Sequence, residues 1–584
     1  MTPREVALLA AGSLGFALLL TYPMMCQLVY LGPGVSGWIG TGPVWSHLTR
    51  LPLNGDWDLF TELRWAVYET ISHFHQLPLW NPYKCGGMPL LGSPEAIVVT
   101  PFLLVDLLAG PTLGLYLQLI LHLAIAFAGG YVLARVMELG RVSGIVLSAV
   151  FLSTSWLYLQ LSLGNLTLSF PIAYWPWLLA LFLVGIERAK LAPLAVAGAL
   201  LALNATEGNY TFIYASIMIA SIGTSIAIIK RRLWPLIAIL VTFSFGAAIG
   251  AITLIPVADM LAHHPRTGWW TGPEDDTLAW IPTFLFSRNQ DLFRDIKGLY
   301  VFACYGAYIS PVFAALALVG IITYRLKALP WLVAAIVFLM LARGNSGPYC
   351  ALQLLRRLPM CGNIAFPTRF IYPFVFAIAP LAAMGTNYLC GRSELWGPRF
   401  AAVLLAIGLA DAWWVGPPNL RYLFHYSPPH VERSAQFRQF WLDDTQNMTA
   451  LNLANLGVVH CWGYGKDTDL HTSVTGLNQS SYSGEFHVDG PGSVTQTEWT
   501  PNRLEYSVGA AAPAVLTINQ NFLPGWQLIQ GSGEVIERQG LLAVSLPSGT
   551  HDLALRYRPE HFALATSISL LGLIAMLILW KKDY

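Results

Sequence analysis

Charge is what this 584-residue sequence has least of. Asp, Glu, Lys and Arg make up only 11% of it, 33 basic residues stand against 32 acidic ones, and the formal net charge is +1. With no basic surplus there is no electrostatic footprint for nucleic acid and no polybasic lipid anchor. Seven cysteines are scattered without a CxxC pair, so neither a zinc nor a dithiol redox motif is present. Walker A, Rossmann, nucleophile-elbow and HExxH patterns are also missing. These absences argue against an ATP-driven pump and against an enzyme with a cytosolic nucleotide-sugar domain. What is present is apolar: 55% of the chain by the AVILMFWYC count and a mean hydropathy of +0.54. Those values indicate a polytopic membrane protein.

Hydropathy predicts twelve transmembrane helices, at roughly 6–30, 112–134, 142–159, 167–186, 192–205, 209–229, 233–257, 300–323, 329–342, 366–389, 400–416 and 562–580. The run Val6 to Tyr30 is too long for a signal-peptide core and reads as an uncleaved first helix. Ala96 to Gly110 is apolar but short and interrupted by Pro101, so it reads as re-entrant or interfacial. Basic residues cluster in short loops: Arg135 and Arg141; Arg188 and Lys190; Lys230, Arg231 and Arg232; Arg325 and Lys327; Arg392 and Arg399; Lys581 and Lys582. With twelve spans all of them share the side of the N-terminus, which the positive-inside rule makes cytoplasmic. Both chain ends are then cytoplasmic. The long loops 31–95, 258–299, 343–365 and 417–561 face outward.

Within the predicted helical module, 1–416, the outer loop 31–95 is the richest segment. The stretch 417–561 turns polar, and alternation appears in Leu504-Glu505-Tyr506-Ser507-Val508, in Val515-Leu516-Thr517-Ile518-Asn519 and in Leu553-Ala554-Leu555-Arg556-Tyr557. Pro524-Gly525 and Pro547-Ser548-Gly549 divide these runs. The pattern predicts an extracytoplasmic domain, a small antiparallel β-sandwich from about residue 480 onward. A final helix and cytoplasmic tail, 562–584, follow. Cys350 and Cys361 either form a disulfide, if their loop faces an oxidising compartment, or remain two free thiols.

Asp56 and Asp58 stand in Asn54-Gly55-Asp56-Trp57-Asp58, just beyond the first span. A carboxylate there serves to deprotonate an acceptor hydroxyl or to coordinate a divalent cation such as Mg or Mn. The plainer reading is a solvated loop acid or a helix N-cap. Apolar spacing from Leu59 to Phe74 predicts an amphipathic helix along the membrane surface. Glu95 flanks the re-entrant run. Polar residues at a membrane boundary are costly and usually partnered or functional. On the outer side these are Asn165, Glu207, Asn209, Asp259, His263, His264 and Arg266. Adjacent histidines on a helix do not share a face, so interfacial histidines are the stronger reading of His263-His264. Arg369 at the mouth of a span suits bidentate phosphate binding, against snorkelling to headgroups. Arg288 is a second candidate.

Gly55-Asp56, then Pro78-Leu79-Trp80-Asn81-Pro82 and Gly86-Gly87, then Pro367-Thr368-Arg369-Phe370, resemble the YfhO-like bacterial membrane glycosyltransferases of GT-C type. The resemblance is strongest near the C-terminus, in Asn521-Phe522-Leu523-Pro524-Gly525-Trp526, Leu546-Pro547-Ser548-Gly549-Thr550-His551 and Arg556-Tyr557-Arg558-Pro559. It implies a multi-pass protein of the bacterial inner membrane. It further implies transfer of a sugar from a polyprenyl-phosphate donor to a lipid or glycan acceptor at the outer leaflet, with Asp56 as catalytic base. It assigns no role to Asp58, Glu95 or Glu207. Where the family carries a Gln shortly after the Gly-Asp pair, this chain has Thr61 and Glu62. A different class is a non-catalytic subunit that docks through its outer β-domain into a larger envelope complex, because architecture does not fix function. A transporter ranks last: no inverted repeat is evident and no charge sits mid-span in the confident helices.

Overall fold

The computed structural model describes residues 2–31, 55–263, 277–290, 295–296, 300–344, 350–358, 361–362, 364, 367–422, 432–441, 448–459 and 473–583. Each of the twelve predicted spans has a helical counterpart. Among the described residues eight helices are long and apolar enough to cross a membrane, or ten if each of two bent pairs is one span. One bent pair, Arg141–Leu152 with Ser155–Leu163, turns by 41°; the other, Pro311–Lys327 with Leu329–Ala342, turns by 119°. Helices Pro311–Tyr324 and Leu329–Ala342 have 14 residues each. That is about 21 Å at 1.5 Å per residue, short of a ~30 Å hydrocarbon core. Leu191–Glu207 is also apolar but shorter than 18 residues.

The run 96–110 does not form a separate span. A helix starts at Leu103, breaks at Gly110 (φ 77°), and continues from Pro111 to Val136. Leu104 and Leu108 on the short piece are exposed, as befits an apolar segment at an interface. At the far end, Arg141 pairs with Glu5 and Lys190 donates to the Asp583 carbonyl at 2.8 Å. The loops of Arg141 and Lys190 therefore adjoin the first and the last helix, and Lys327, paired with Glu138, and Lys230, paired with Glu187, join them.

Ile371–Cys390 packs at the centre of the helical region and is buried on nearly every side. It crosses Pro311–Tyr324 with the backbones almost touching: a Cβ on Gly385 would lie 1.9 Å from the Leu316 carbonyl oxygen, and one on Gly320 would lie 2.0 Å from that of Leu381. Small residues permit this approach where lipid gives helices no hydrophobic drive to associate.

The C-terminal region is β-rich, as the alternation predicts. One four-stranded antiparallel sheet runs Glu534–Arg538, Leu541–Leu546, Ala514–Asn521, Phe486–Asp489; a second runs Trp526–Gln530, Gly549–Tyr557, Arg503–Ala510, Gly492–Thr500. In Arg503–Ala510 the burial alternates strictly, with Leu504, Tyr506, Val508 and Ala510 inward. Leu504, Tyr506 and Val508 share one core with Leu516, Ile518, Leu542, Val544, Leu553 and Leu555 of both sheets. Trp80, Cys85 and Met88 from the first long loop enter the same core, so the loop is locked to the β-rich region.

The Gly55–Ser72 helix departs from expectation. Rather than lying amphipathic on a surface, it is buried on all sides from Asp58 through Arg64. Trp80–Pro89 and Met448–Leu453 cover its polar side, and each charged residue there has a partner.

Candidate active site

Asp56 and Asp58 occupy the first turn of the Gly55–Ser72 helix, where carboxylates complement the positive end of the helix dipole. The Asp56 side chain lies outside the described residues. Asp58 is 1% exposed. Its two carboxylate oxygens accept from the backbone N–H groups of Met448 (2.5 Å) and Thr449 (3.0 Å), and its carbonyl accepts from the Thr449 hydroxyl (3.1 Å). Asp58 thus caps the Met448–Leu453 helix from a distant part of the chain.

One turn on, Glu62 is fully buried and accepts from Asn81 Nδ2 (3.0 Å) and Asn452 Nδ2 (3.2 Å). Loss of hydration pushes its pKa up to about 7, against the attraction of Lys84. The Lys84 ammonium is itself fully buried and lies 3.9 Å from Glu95. Glu62 and Glu95 are therefore both drawn to one buried cation.

The loop that carries Lys84 is held rigidly. Trp80-Asn81 pairs antiparallel with Met88-Pro89. Asn521 donates to the Cys85 and Gly87 carbonyls at 2.5 and 3.0 Å, and Cys85 is disulfide-bonded. Gly87 has φ 98°, and a Cβ there would meet Gln520 at 2.7 Å and Trp80 at 2.8 Å. Only glycine meets both conditions.

A second polar network lies along the same helix. Arg64 is buried and ion-paired with Asp106. It also donates to Gln118 (3.2 Å), whose amide donates to Asp106 (2.8 Å). The Gln118 carbonyl lies 2.7 Å from His122 Nδ1, and His122 Nε2 lies 3.4 Å from Glu207. Glu207 accepts from the Tyr174 hydroxyl (2.8 Å) and the Thr100 hydroxyl (2.6 Å). The His122 ring stacks on Phe170 at 4.5 Å. The next helix begins at Asn209, and the Arg369 guanidinium lies 5.0 Å over the ring of Tyr210. Arg369 is half-buried at the head of the central helix. Arg369 thus packs on the helix that follows Glu207, two residues beyond the end of the preceding one.

Other candidates stand apart. Asn165 donates to Gln160 at 2.7 Å and precedes the Leu166–Ser169 turn of helix. Exposed His263 bonds to the Asp259 carbonyl one turn back (2.8 Å). Arg288 is ion-paired with Asp411 at 2.6 Å. His264 and Arg266 lie outside the described residues. Cys350 and Cys361 are free thiols, and the Cys350 Sγ–H donates to the Gly344 carbonyl at 2.9 Å. Among the described residues no group of three His, Cys, Asp or Glu side chains converges as a metal-binding set.

Sequence reasoning passed over Lys84, Arg64, Asp106 and His122. A lysine inside the turn-rich Asn81-Pro82-Tyr83-Lys84-Cys85-Gly86-Gly87 stretch was a usable signal. Asp106 and His122, polar within apolar runs, carried the cost argument that selected Glu207.

No protein-family model matches the sequence, and no curated protein matches it. Solved structures align with the chain at low similarity. The apo crystal structure of the Archaeoglobus fulgidus oligosaccharyltransferase aligns with TM-score 0.47 and 12% identity, over 77% of this chain and 64% of that one. The archaeal oligosaccharyltransferase AglB of the same organism, in complex with an inhibitory peptide and a dolichol-phosphate, aligns with TM-score 0.44 and 12% identity over the same shares. The mycobacterial arabinofuranosyltransferase AftD aligns with TM-score 0.44 and 12% identity, over 95% of this chain and 40% of that one. The chain therefore spans less than two thirds of the length of each of these structures. These are distant likenesses and assign neither a residue nor a reaction.

Proposed function

We propose that the chain is a membrane glycosyltransferase of GT-C type that uses a polyprenyl-phosphate-linked sugar and acts on the face bearing the β-rich region. The observation that carries this reading is the Gly55–Ser72 helix. Its first turn carries Asp56, and its flanks hold the Glu62–Lys84–Glu95 cluster and the chain from Arg64 to Glu207. Buried charge at this density is costly unless it organises a site. The Cys85 disulfide fits an oxidising, extracytoplasmic compartment. The grouping of basic loops at the opposite end fits a cytoplasmic face there. In this reading the β-rich region, 417–561, is an extracytoplasmic domain.

The Asp56 carboxylate takes the proton of the acceptor hydroxyl as that oxygen attacks the anomeric carbon. The new C–O bond forms as the bond to the lipid phosphate breaks, and the phosphate leaves with the electron pair. Configuration inverts. Arg369, beside Tyr210, stabilises the charge that grows on the departing phosphate. Glu62, Lys84 and Glu95 position the helix and loop and are not assigned a proton transfer. No step is assigned to a metal.

The test is Asp56→Asn in the purified protein with a polyprenyl-phosphate sugar donor. Transfer falls at least a thousandfold while membrane insertion and the thermal midpoint stay as in the parent. Unchanged transfer would sink the assignment of Asp56 as base.

A further inference from the structure

A cleft of about 930 Å³ opens beside the β-rich region, just past the C-terminal end of the Gly55–Ser72 helix, whose opposite end carries Asp56. Four segments form its walls: the end of the Gly55–Ser72 helix, residues 433–438, residues 482–486 and the strand face from Val494 to Trp499. Its floor is aromatic. Phe437 and Trp499 stack at 4.6 Å and 14°, and Phe74 meets Trp499 edge-on at 5.8 Å. All three rings are half-buried.

The rim is polar and its charges are balanced. Arg433 and Arg438 stand with Glu485 and Glu498, and Arg433 is already paired with Glu69 at 3.3 Å. Glu485 is fixed in place: one carboxylate oxygen accepts from the Gln439 N–H (2.7 Å) and the Tyr482 hydroxyl (2.8 Å), and the other accepts from Asn519 (3.4 Å). Gln436 and Gln496 add amides that both donate and accept.

This chemistry selects among ligand classes. A lipid tail calls for an apolar lining, which the rim is not. A phosphate calls for cations in surplus, whereas here acids match them. A neutral sugar ring has an apolar C–H face and an edge of hydroxyls that donate and accept. The half-exposed aromatic cluster and a mixed rim of amide, carboxylate and guanidinium meet both halves of it. The volume is near the upper end of the ~300–1,000 Å³ of small-ligand sites, enough for more than one ring.

We propose that this cleft is a non-catalytic saccharide-binding site for a neutral oligosaccharide. Resting on the glycosyltransferase reading, its ligand is a remote stretch of the acceptor glycan, whose binding there helps hold the reacting end in place.

The experiment uses the full chain in detergent, titrated calorimetrically with neutral linear hexasaccharides of glucose, mannose, galactose, arabinose and N-acetylglucosamine. At least one binds with a Kd of about 1 mM or tighter. Trp499→Ala weakens that binding at least tenfold. Thr495→Trp fills the cleft from an exposed position on the strand and weakens it equally. Asp56→Asn binds with the parent Kd. The proposal is overturned if no hexasaccharide binds, or if both cleft variants, with parental thermal midpoints, bind as the parent does. If saccharide binding behaves as stated but Asp56→Asn retains full transfer, the assignment of the base fails and the binding site stands.

Discussion

Asp58 and Asp56 are two residues apart, and a single substitution separates their roles. Asp58→Ala removes a buried carboxylate that accepts two backbone N–H groups, at 2.5 and 3.0 Å, at the start of Met448–Leu453. Loss of an N-terminal cap costs about 1 kcal/mol. Each donor left buried without a partner adds about 1–3 kcal/mol, so a net cost of about 3 kcal/mol follows when one of the two finds water. The cost is local, because the bonds join this helix to a segment 390 positions earlier. About 3 kcal/mol is roughly a hundredfold in the opening equilibrium. Amide hydrogen exchange should therefore accelerate by about that factor at residues 448–453, with little change in the strands from 503 to 557. Transfer per folded molecule should fall by less than tenfold. Parental exchange at 448–453 together with abolished transfer would refute the capping role and make Asp58 a chemical group.

Glu62 carries a pH dependence. Its folded pKa, about 7, lies above the ordinary carboxylate value of 4.5. Its contribution is fully present below about pH 4.5 and lost as pH rises through about 7, by about 3 kcal/mol in all. Glu62→Gln should flatten the fall in thermal midpoint between pH 4.5 and 8; parallel curves for parent and variant would refute this. Glu207→Ala leaves the Tyr174 and Thr100 hydroxyls without their acceptor and should cost about 3 kcal/mol, whereas Glu207→Gln keeps an acceptor oxygen and should cost less than half as much. Equal midpoints for the two variants would count against the network. Gly385→Ala places a methyl against the Leu316 carbonyl and should cost about 2 kcal/mol or more; a monodisperse variant with the parental midpoint would show that the helices do not touch there.

Hydropathy and charge by themselves determined that this is a helical membrane protein with its basic loops grouped at one end, because the cost of burying charge in lipid acts residue by residue. Period-two alternation likewise determined Arg503–Ala510 and Gly549–Tyr557 as strands, since a half-buried sheet imposes that period on any sequence. The Gly55-Asp56 pair stood out because so few charges surround it. Tertiary structure alone decided that the Gly55–Ser72 helix is enclosed: its covers come from residues 80–89 and 448–453, and no local pattern reports a partner so far along the chain. The same holds for Lys84. Its sequence neighbours mark a turn, but that its ammonium lies 3.9 Å from Glu95, attracted also to Glu62, follows only from the folded path. Asp58 is the sharpest case. Its type and place allowed a base, a metal ligand or a cap, and the choice fell to two N–H groups 390 and 391 positions along the chain, because a hydrogen bond depends on distance in space and is indifferent to distance in sequence.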